Sequence, residues 1–426
     1  MFFSYRSEMD VFYRQYNTYR ILLSVVGLWP YHKTIYSTIH RILISVIILA
    51  YIVFQVLSLY KSGITFRGCI ITLSATCPIT AILMRYVSSA AVFPATECLF
   101  DYLRTTETML KDQFEIYILM KYVDYSTSII HIFLCLCCSW TLLAASYVFT
   151  PITLDLLMPL NESRRRYFSL LTMFSHDRIE YVDMVCVNIL VIYTIGLLCV
   201  AGTDLTFVVF AHYICGMFEI TSYRMRKTIA GLSSSRQIDP NFRDFRYVVD
   251  NHRNTLLFIN YLLSNYRIHY LLPSAVAVVS VSVSLHRLSR TITDAEDEKE
   301  IFICIFFLIS HLVFLYISCS SGQIIIDRSL NVFKESYNST WYCMPVEAQK
   351  LLLFIMLRSS TESIVNIFGF FVASHAGFTT VILSVCYCII DTLCLLVKCY
   401  RISVAEYVFL ILYSDILESI ECLMHH

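Results

Sequence analysis

Seven long runs of apolar residues, nearly free of charge, are spaced along the chain and separated by polar stretches. They are Ile42–Tyr60, Gly68–Met84 with an extension past Arg85 towards Pro94, Tyr125–Leu154, Met184–Thr203 continued beyond Asp204 to Phe218, Ile268–His286, Ile301–Ile326 and Ser363–Ile390. A hydrocarbon core about 30 Å thick needs about 20 apolar residues in helix. The runs are apolar on every face, unlike the one-sided stripe of a surface helix. They also lack the alternation of barrel segments of about 10 residues. The pattern predicts an all-α polytopic membrane protein with seven transmembrane helices. An eighth stretch, Tyr407–Leu417, is short, contains Asp415, and reads as an interfacial or unstructured tail.

Composition agrees: of 426 residues 57% are hydrophobic and 15% charged, with mean hydropathy +0.65, against about 25% charged in soluble domains. Net charge is zero, so no nucleic-acid partner is implied. The start, MFFSYRSEMDVFYRQYNTYR, carries charges and aromatics, and no cleaved signal peptide is expected. Of 32 Lys and Arg, 21 fall on the side holding the N-terminus and loops two, four and six. Positive charge collects on the cytoplasmic side. The N-terminus is therefore expected in the cytoplasm and the C-terminus outside, although Arg164-Arg165-Arg166 runs against the trend. Two sequons lie on opposite sides, Asn161-Glu162-Ser163 in loop three and Asn338-Ser339-Thr340 in loop six. In this orientation Asn161 is the glycosylation candidate.

The expected organisation is a cytoplasmic segment 1–41, spans one to four over 42–218 with an extracellular loop 151–183, and a cytoplasmic helical extension 219–267. Spans five and six over 268–326, cytoplasmic anchor helices 327–362, a seventh span 363–398 and a tail 399–426 complete it. In loop four, Tyr247, Val248, Leu256, Leu257, Ile259 and Leu263 recur at helical spacing. Gly231-Leu232-Ser233-Ser234-Ser235 and Asp239-Pro240 break the helix. Loop six reads as helix from Ile324 to Tyr337 and again from near Pro345 through Arg358. Their apolar faces need cover, either from neighbouring copies or from the same subunit. Most of the 17 Cys, such as Cys135, Cys137 and Cys138, lie in apolar runs and read as small hydrophobes. No paired CxxC motifs at zinc spacing occur, and neither metal nor cofactor is expected. Asp204 stands as an isolated charge at membrane depth, either functional or structural. His212 and His311 read as ordinary bundle histidines.

Several short strings fall in a telling order. Gly27-Leu28-Trp29-Pro30 precedes the first span, and Pro159-Leu160-Asn161-Glu162-Ser163-Arg164 sits in loop three. Span four ends Asp204…His212…Gly216-Met217-Phe218-Glu219…Tyr223-Arg224. Loop six carries Tyr337…Trp341-Tyr342…Pro345, Leu351-Leu352-Leu353 and Arg358-Ser359. Together these resemble the insect odorant receptors, seven-span proteins of inverted topology, over about Tyr16 to Val385. The PLNESR string is similar to that of hymenopteran members. The family's TSxSYF-like end of span seven is replaced by Leu383-Ser384-Val385-Cys386-Tyr387-Cys388, and the chain runs on to His426.

The resemblance implies a tuning subunit of an odorant-gated, non-selective cation channel. Such a subunit assembles with a shared co-receptor subunit into a hetero-tetramer in the plasma membrane of a sensory dendrite. It also implies a pocket for a small hydrophobic odorant in the outer half of spans two to six. There Ser74, Trp140, Ala144, Tyr147, Asn188, Ile192, Phe306 and Ile309 are the candidate lining residues. Trp140, Tyr147 and Asn188 would supply polar anchors, or all eight could simply pack the bundle. In span seven, Ser374, His375, Gly377, Thr379, Thr380 and Ser384 fit either a pore lining or helix packing. Val381, Ser384 and Val385 are the pore candidates, with the two valines able to gate by dewetting. Three other classes fit less well. A G-protein-coupled receptor needs the opposite topology and DRY-like and NPxxY motifs. A gustatory-type receptor shares the fold, but its TYxxxxxQF-type ending is missing. An enzyme would need convergent acids, whereas Ala201-Gly202-Thr203-Asp204 only approaches GxGD.

Overall fold

The computed structural model describes residues 16–31, 35–62, 64–110, 112–158, 179–234, 243–293, 298–367, 371–384 and 387. Asn161, Arg164, Val385 and the tail from 388 lie outside the described residues. The helices are α1 (Asn17–Val26), α2 (Ile35–Ser62), α3 (Phe66–Ala91), α4 (Phe93–Met109), α5 (Gln113–Leu157), α6 (Ile179–Ser234), α7 (Arg243–Thr293), α8 (Glu298–Asn338) and α9 (Val346–Ser359). A 3₁₀ turn, Trp341–Cys343, separates α8 from α9. Residues 375–384 form a further helix.

Six helices among the described residues, α2, α3 and α5 to α8, are long and apolar enough to cross a bilayer. The protein is a multi-pass membrane protein built almost wholly of helix. Four of these helices overshoot any bilayer. At 1.5 Å per residue, the 56 residues of α6 reach about 84 Å and the 51 of α7 about 77 Å. The apolar stretch of α7 long enough to cross, His269–Ile292, leaves the first half of that helix as an extension at the end where α6 gives way to α7. We call this the α6–α7 end, and the opposite one, where α7 gives way to α8, the α7–α8 end.

Helix α6 is the axis of the fold and packs against α1, α2, α3, α5, α7 and α8. Its middle is buried on every side, with Leu205, Val209, Phe210, Ile214, Cys215, Phe218, Ile220 and Met225 fully buried. By contrast α2 leaves Ile39, Ile42, Val46, Leu49, Val53 and Leu57 exposed along one side, the arrangement a lipid-facing helix needs.

Two features depart from the expectations drawn from the sequence. The segment 1–41 holds a short helix, α1, wedged against α6 with Tyr19, Leu22, Leu23 and Val26 buried. Three tyrosine hydroxyls tie it down: Tyr16 to Ser126 (3.0 Å), Tyr19 to Thr206 (2.6 Å), and Tyr86 donating to the Val26 carbonyl (2.7 Å). It ends at Gly27, whose φ of +79° suits only glycine. The Leu28 N–H reaches back to the Leu23 carbonyl (2.7 Å) to close the turn. Second, Ser363–Ile390 is not one continuous helix. Asn366–Ile367 pairs antiparallel with Phe371–Val372, and the Ala373 N–H bonds to the Val365 carbonyl (3.0 Å). The Ser363 N–H bonds to Ser329 Oγ on α8 (3.0 Å). These partners take the backbone groups that a helix would use.

Candidate functional site

The residues proposed from sequence to line a pocket come from α3, α5, α6 and α8 and lie towards the α7–α8 end. The Trp140 ring on α5 meets Phe306 on α8 edge-on. One residue further on, Phe307 meets Tyr193 of α6 with centroids 5.7 Å apart. Ser74 is buried and accepts from Arg287 Nη1 (3.0 Å). Ala144, Tyr147 and Ile192 are half-buried, while Asn188 and Ile309 are exposed on the single chain. Trp140 and Phe306 are thus brought together directly, while Asn188 and Ile309 point to the outside of this bundle. Tyr193, Arg287 and Phe307 were missed. Arg287 falls one residue beyond the apolar run ending at His286, so a search for charge-free runs passes over it. A cleft of about 510 Å3 beside α1, lined by Arg20, Ile21, Ser24, Val25 and Trp29, shares no residue with this set.

Asp204 is not isolated. It is paired with Arg85 of α3, within hydrogen-bond contact, with its side chain 6% exposed. Near it in the bundle, Ser88 bonds His269 Nδ1 (2.8 Å), and Thr96 bonds the Tyr266 hydroxyl (2.5 Å). A buried carboxylate is tolerable only with such a counter-charge. His212 and His311 both bond carbonyls of their own helices, Val208 (2.9 Å) and Phe307 (2.8 Å), and His311 also contacts Ser280.

The strings at the end of span four turn out to be contacts between helices. Glu219 pairs with Arg328 of α8 (3.0 Å). Arg224 grips Glu115 of α5 with two bonds, 2.6 and 2.8 Å, the fork geometry that makes arginine–carboxylate pairs strong. Tyr223 donates to Asp112 (3.0 Å), which also accepts from Lys227 (2.6 Å) and caps α5 through the Phe114 N–H (3.1 Å). Lys227 above all, then the Phe114 N–H and Tyr223, hold the Asp112 carboxyl down at about 2. At Gly216 a Cβ would come 3.1 Å from Leu119 Cδ1, so glycine lets α5 and α6 approach.

Beyond the membrane-crossing part, α7 divides its apolar residues between two faces. Val248 and Ile259 are buried in the chain's own core, whereas Tyr247 and Leu257 are more than half exposed. On α9, Ala348, Leu352 and Ile355 are buried, and Val346, Leu353, Phe354 and Leu357 are exposed. His252 is buried beside Phe218 (6.0 Å between rings). Burial, and then the Arg358 charge, pushes its pKa down to about 4. Asn251 bonds Thr221 (2.7 Å) and the Met217 carbonyl (3.2 Å).

This is the build of a multi-helix membrane receptor, with an aromatic upper bundle on a polar-locked base. The family model described as 7tm Odorant receptor matches residues 69–387. The chain belongs to the odorant receptor family. Two solved structures of the olfactory receptor OR5 from the insect Machilis hrabei are similar in fold, one with eugenol and one without. Each superposes with a TM-score of 0.69. They are 12% and 13% identical, cover 88% of this chain, and are themselves covered over 97% and 96%. No curated protein sequence matches.

Proposed function

We propose that this odorant receptor is the tuning subunit of a ligand-gated, non-selective cation channel. Its α6–α7 end lies in the cytoplasm and its α7–α8 end outside. The observation that carries this reading is the row of apolar side chains left open beyond the membrane-crossing part. Phe354 and Leu357 are each 69% exposed, Leu353 63% and Tyr247 56%. Exposed apolar patches of this kind mark association surfaces. Neighbouring subunits, including a shared co-receptor in a hetero-tetramer, would cover them. The helix 375–384 then stands at the shared axis as the pore helix, with Val381 and Ser384 along it, while the third pore candidate, Val385, lies outside the described residues. Its hydroxyls suit that place: Thr379, Thr380 and Ser384 each bond a carbonyl one turn back, so they need no partner helix.

A small hydrophobic odorant would enter among Ser74, Trp140, Ala144, Tyr147, Ile192 and Phe306, with Asn188 and Ile309 at the margin. The Trp140–Phe306 contact and Ser74 held by Arg287 support this placement. The division into segments 1–41, 42–218, 219–267, 268–326, 327–362 and 363–398 follows the same reading, with Asn161 as the glycan site. Co-expression with the co-receptor in insect cells tests it. Odorant-evoked cation current, an N-terminal tag stained only after permeabilisation, and a glycosidase shift lost in Asn161→Gln are expected. A tag visible on intact cells would overturn the topology.

A further inference from the structure

Four residues on one face of α8 hold the first turn of the helix 375–384. Tyr316 stacks on His375 (6.5 Å between rings, 22° between planes) and meets Phe378 edge-on at 5.5 Å. The Cys319 thiol lies in hydrogen-bond contact with the Ser374 backbone. Gly322 abuts Ala373 so closely that a Cβ there would lie 2.6 Å from the Ala373 Cβ and overlap its carbonyl. Gln323 then places its Oε1 to accept from the His375 N–H (3.1 Å), while its amide donates to Asp327 (2.9 Å). Ser374 Oγ accepts from the Gly377 N–H (3.0 Å). A helix begins with four N–H groups lacking partners in the helix. One of these is satisfied by the helix's own Ser374 and another by Gln323 from α8. Capping by a residue from another helix fixes where the chain turns upward and ties that point to α8.

Helix α8 also carries Phe306, 17 residues before Gln323 and so about 25 Å away along one unbroken helix. We infer that Gln323 is a positioning residue for gating, seated by Gly322, through which displacement of α8 at the odorant end moves the start of the pore helix. This rests on the channel reading above. A contiguous packed element of this kind is a route that coupling between distant sites can take.

The test uses the full chain with its co-receptor and three variants, Gln323→Ala, Gln323→Glu with Asp327→Asn, and Gly322→Ala, compared at equal surface level. Odorants are drawn from phenols, terpene alcohols and aliphatic esters. Amide exchange over 375–378 in the purified chain supplies a readout that needs no odorant. Gln323→Ala is expected to speed that exchange at least tenfold and to cut maximal evoked current at least fivefold, with the half-maximal concentration within threefold of wild type. Gln323→Glu, made together with Asp327→Asn so that no second carboxylate faces it, keeps an acceptor, which a helix N-terminus favours, and should restore both. Gly322→Ala should lose current as Gln323→Ala does. The inference falls if Gln323→Ala exchanges and conducts like wild type, if exchange rises while current does not change, or if Gln323→Glu with Asp327→Asn fails as fully as Gln323→Ala. A wild-type pair silent to every odorant would instead overturn the channel reading, and the exchange result would still decide whether Gln323 caps this helix.

Discussion

At the α6–α7 end, pairs between Arg224 and Glu115, Arg328 and Glu219, Arg226 and Glu335, and Lys227 and Asp112 join α6 to α5 and α8. At the α7–α8 end the same helices meet through ring contacts such as Trp140 with Phe306 and Tyr193 with Phe307. Hydrogen-bonded ion pairs are directional and specify one arrangement. Aromatic and aliphatic contacts are not, and neighbouring side chains can repack at modest cost. One helix set is thus held by directional ion pairs at one end and by repackable ring contacts at the other.

The largest effect is expected at the boundary between the halves. Arg85→Ala leaves Asp204 buried without its counter-charge, which costs about 3–5 kcal/mol. Loss of the monodisperse peak in size-exclusion chromatography is expected. Replacing both partners with apolar residues should bring the peak back. A single variant as well behaved as wild type would show that this pair does not tie α3 to α6.

Next in size is the response of the base to acid. The pKa of His252 falls from an ordinary 6.5 to about 4 in the folded chain, so the unfolded chain binds its proton first as pH drops. Stability is therefore full above about 6.5, falls as pH passes from 6.5 towards 4, and levels off below. The loss amounts to about 2 kcal/mol by pH 5. Melting curves across that window should flatten in His252→Leu. An equally steep decline in the variant would assign the effect elsewhere.

A smaller effect on stability, yet a large one on response, is expected at the other end. Trp140 is only half-buried, so Trp140→Ala should cost about 1 kcal/mol, well below the 3–5 kcal/mol of a fully buried aromatic. Its odorant dose–response should shift at least tenfold. A large melting shift with an unchanged dose–response would place Trp140 in the base's category instead. The smallest effect belongs to Lys227. Its ion pair with Asp112 lies on the surface, where such pairs contribute little. Lys227→Ala should melt with the wild type at both low and high salt, and a salt-sensitive loss would contradict that.

Much of this architecture was legible residue by residue. Helical spacing alone predicted the helices found over 247–263 and from near Pro345 through Arg358. The missing parts share a cause. Asp204 looked solitary because Arg85 lies 119 positions away. Helix α1 was overlooked because its 10 residues are amphipathic and short, whereas membrane spans announce themselves by length and uniform apolarity. The seventh run read as unbroken because Ser329 and Gln323, which take its backbone groups, belong to a different helix.

By itself the sequence determined the membrane class, the principal helices and the polar residues that had to find partners. Apolar length against bilayer thickness is a property of a segment alone. Only the tertiary structure decided that Val248 turns inward while Tyr247 stays open, that Asp204 meets Arg85, and that helix 375–384 starts where Gln323 caps it. Each of these depends on which groups distant parts of the chain bring within hydrogen-bond or van der Waals reach, and no local pattern encodes that distance.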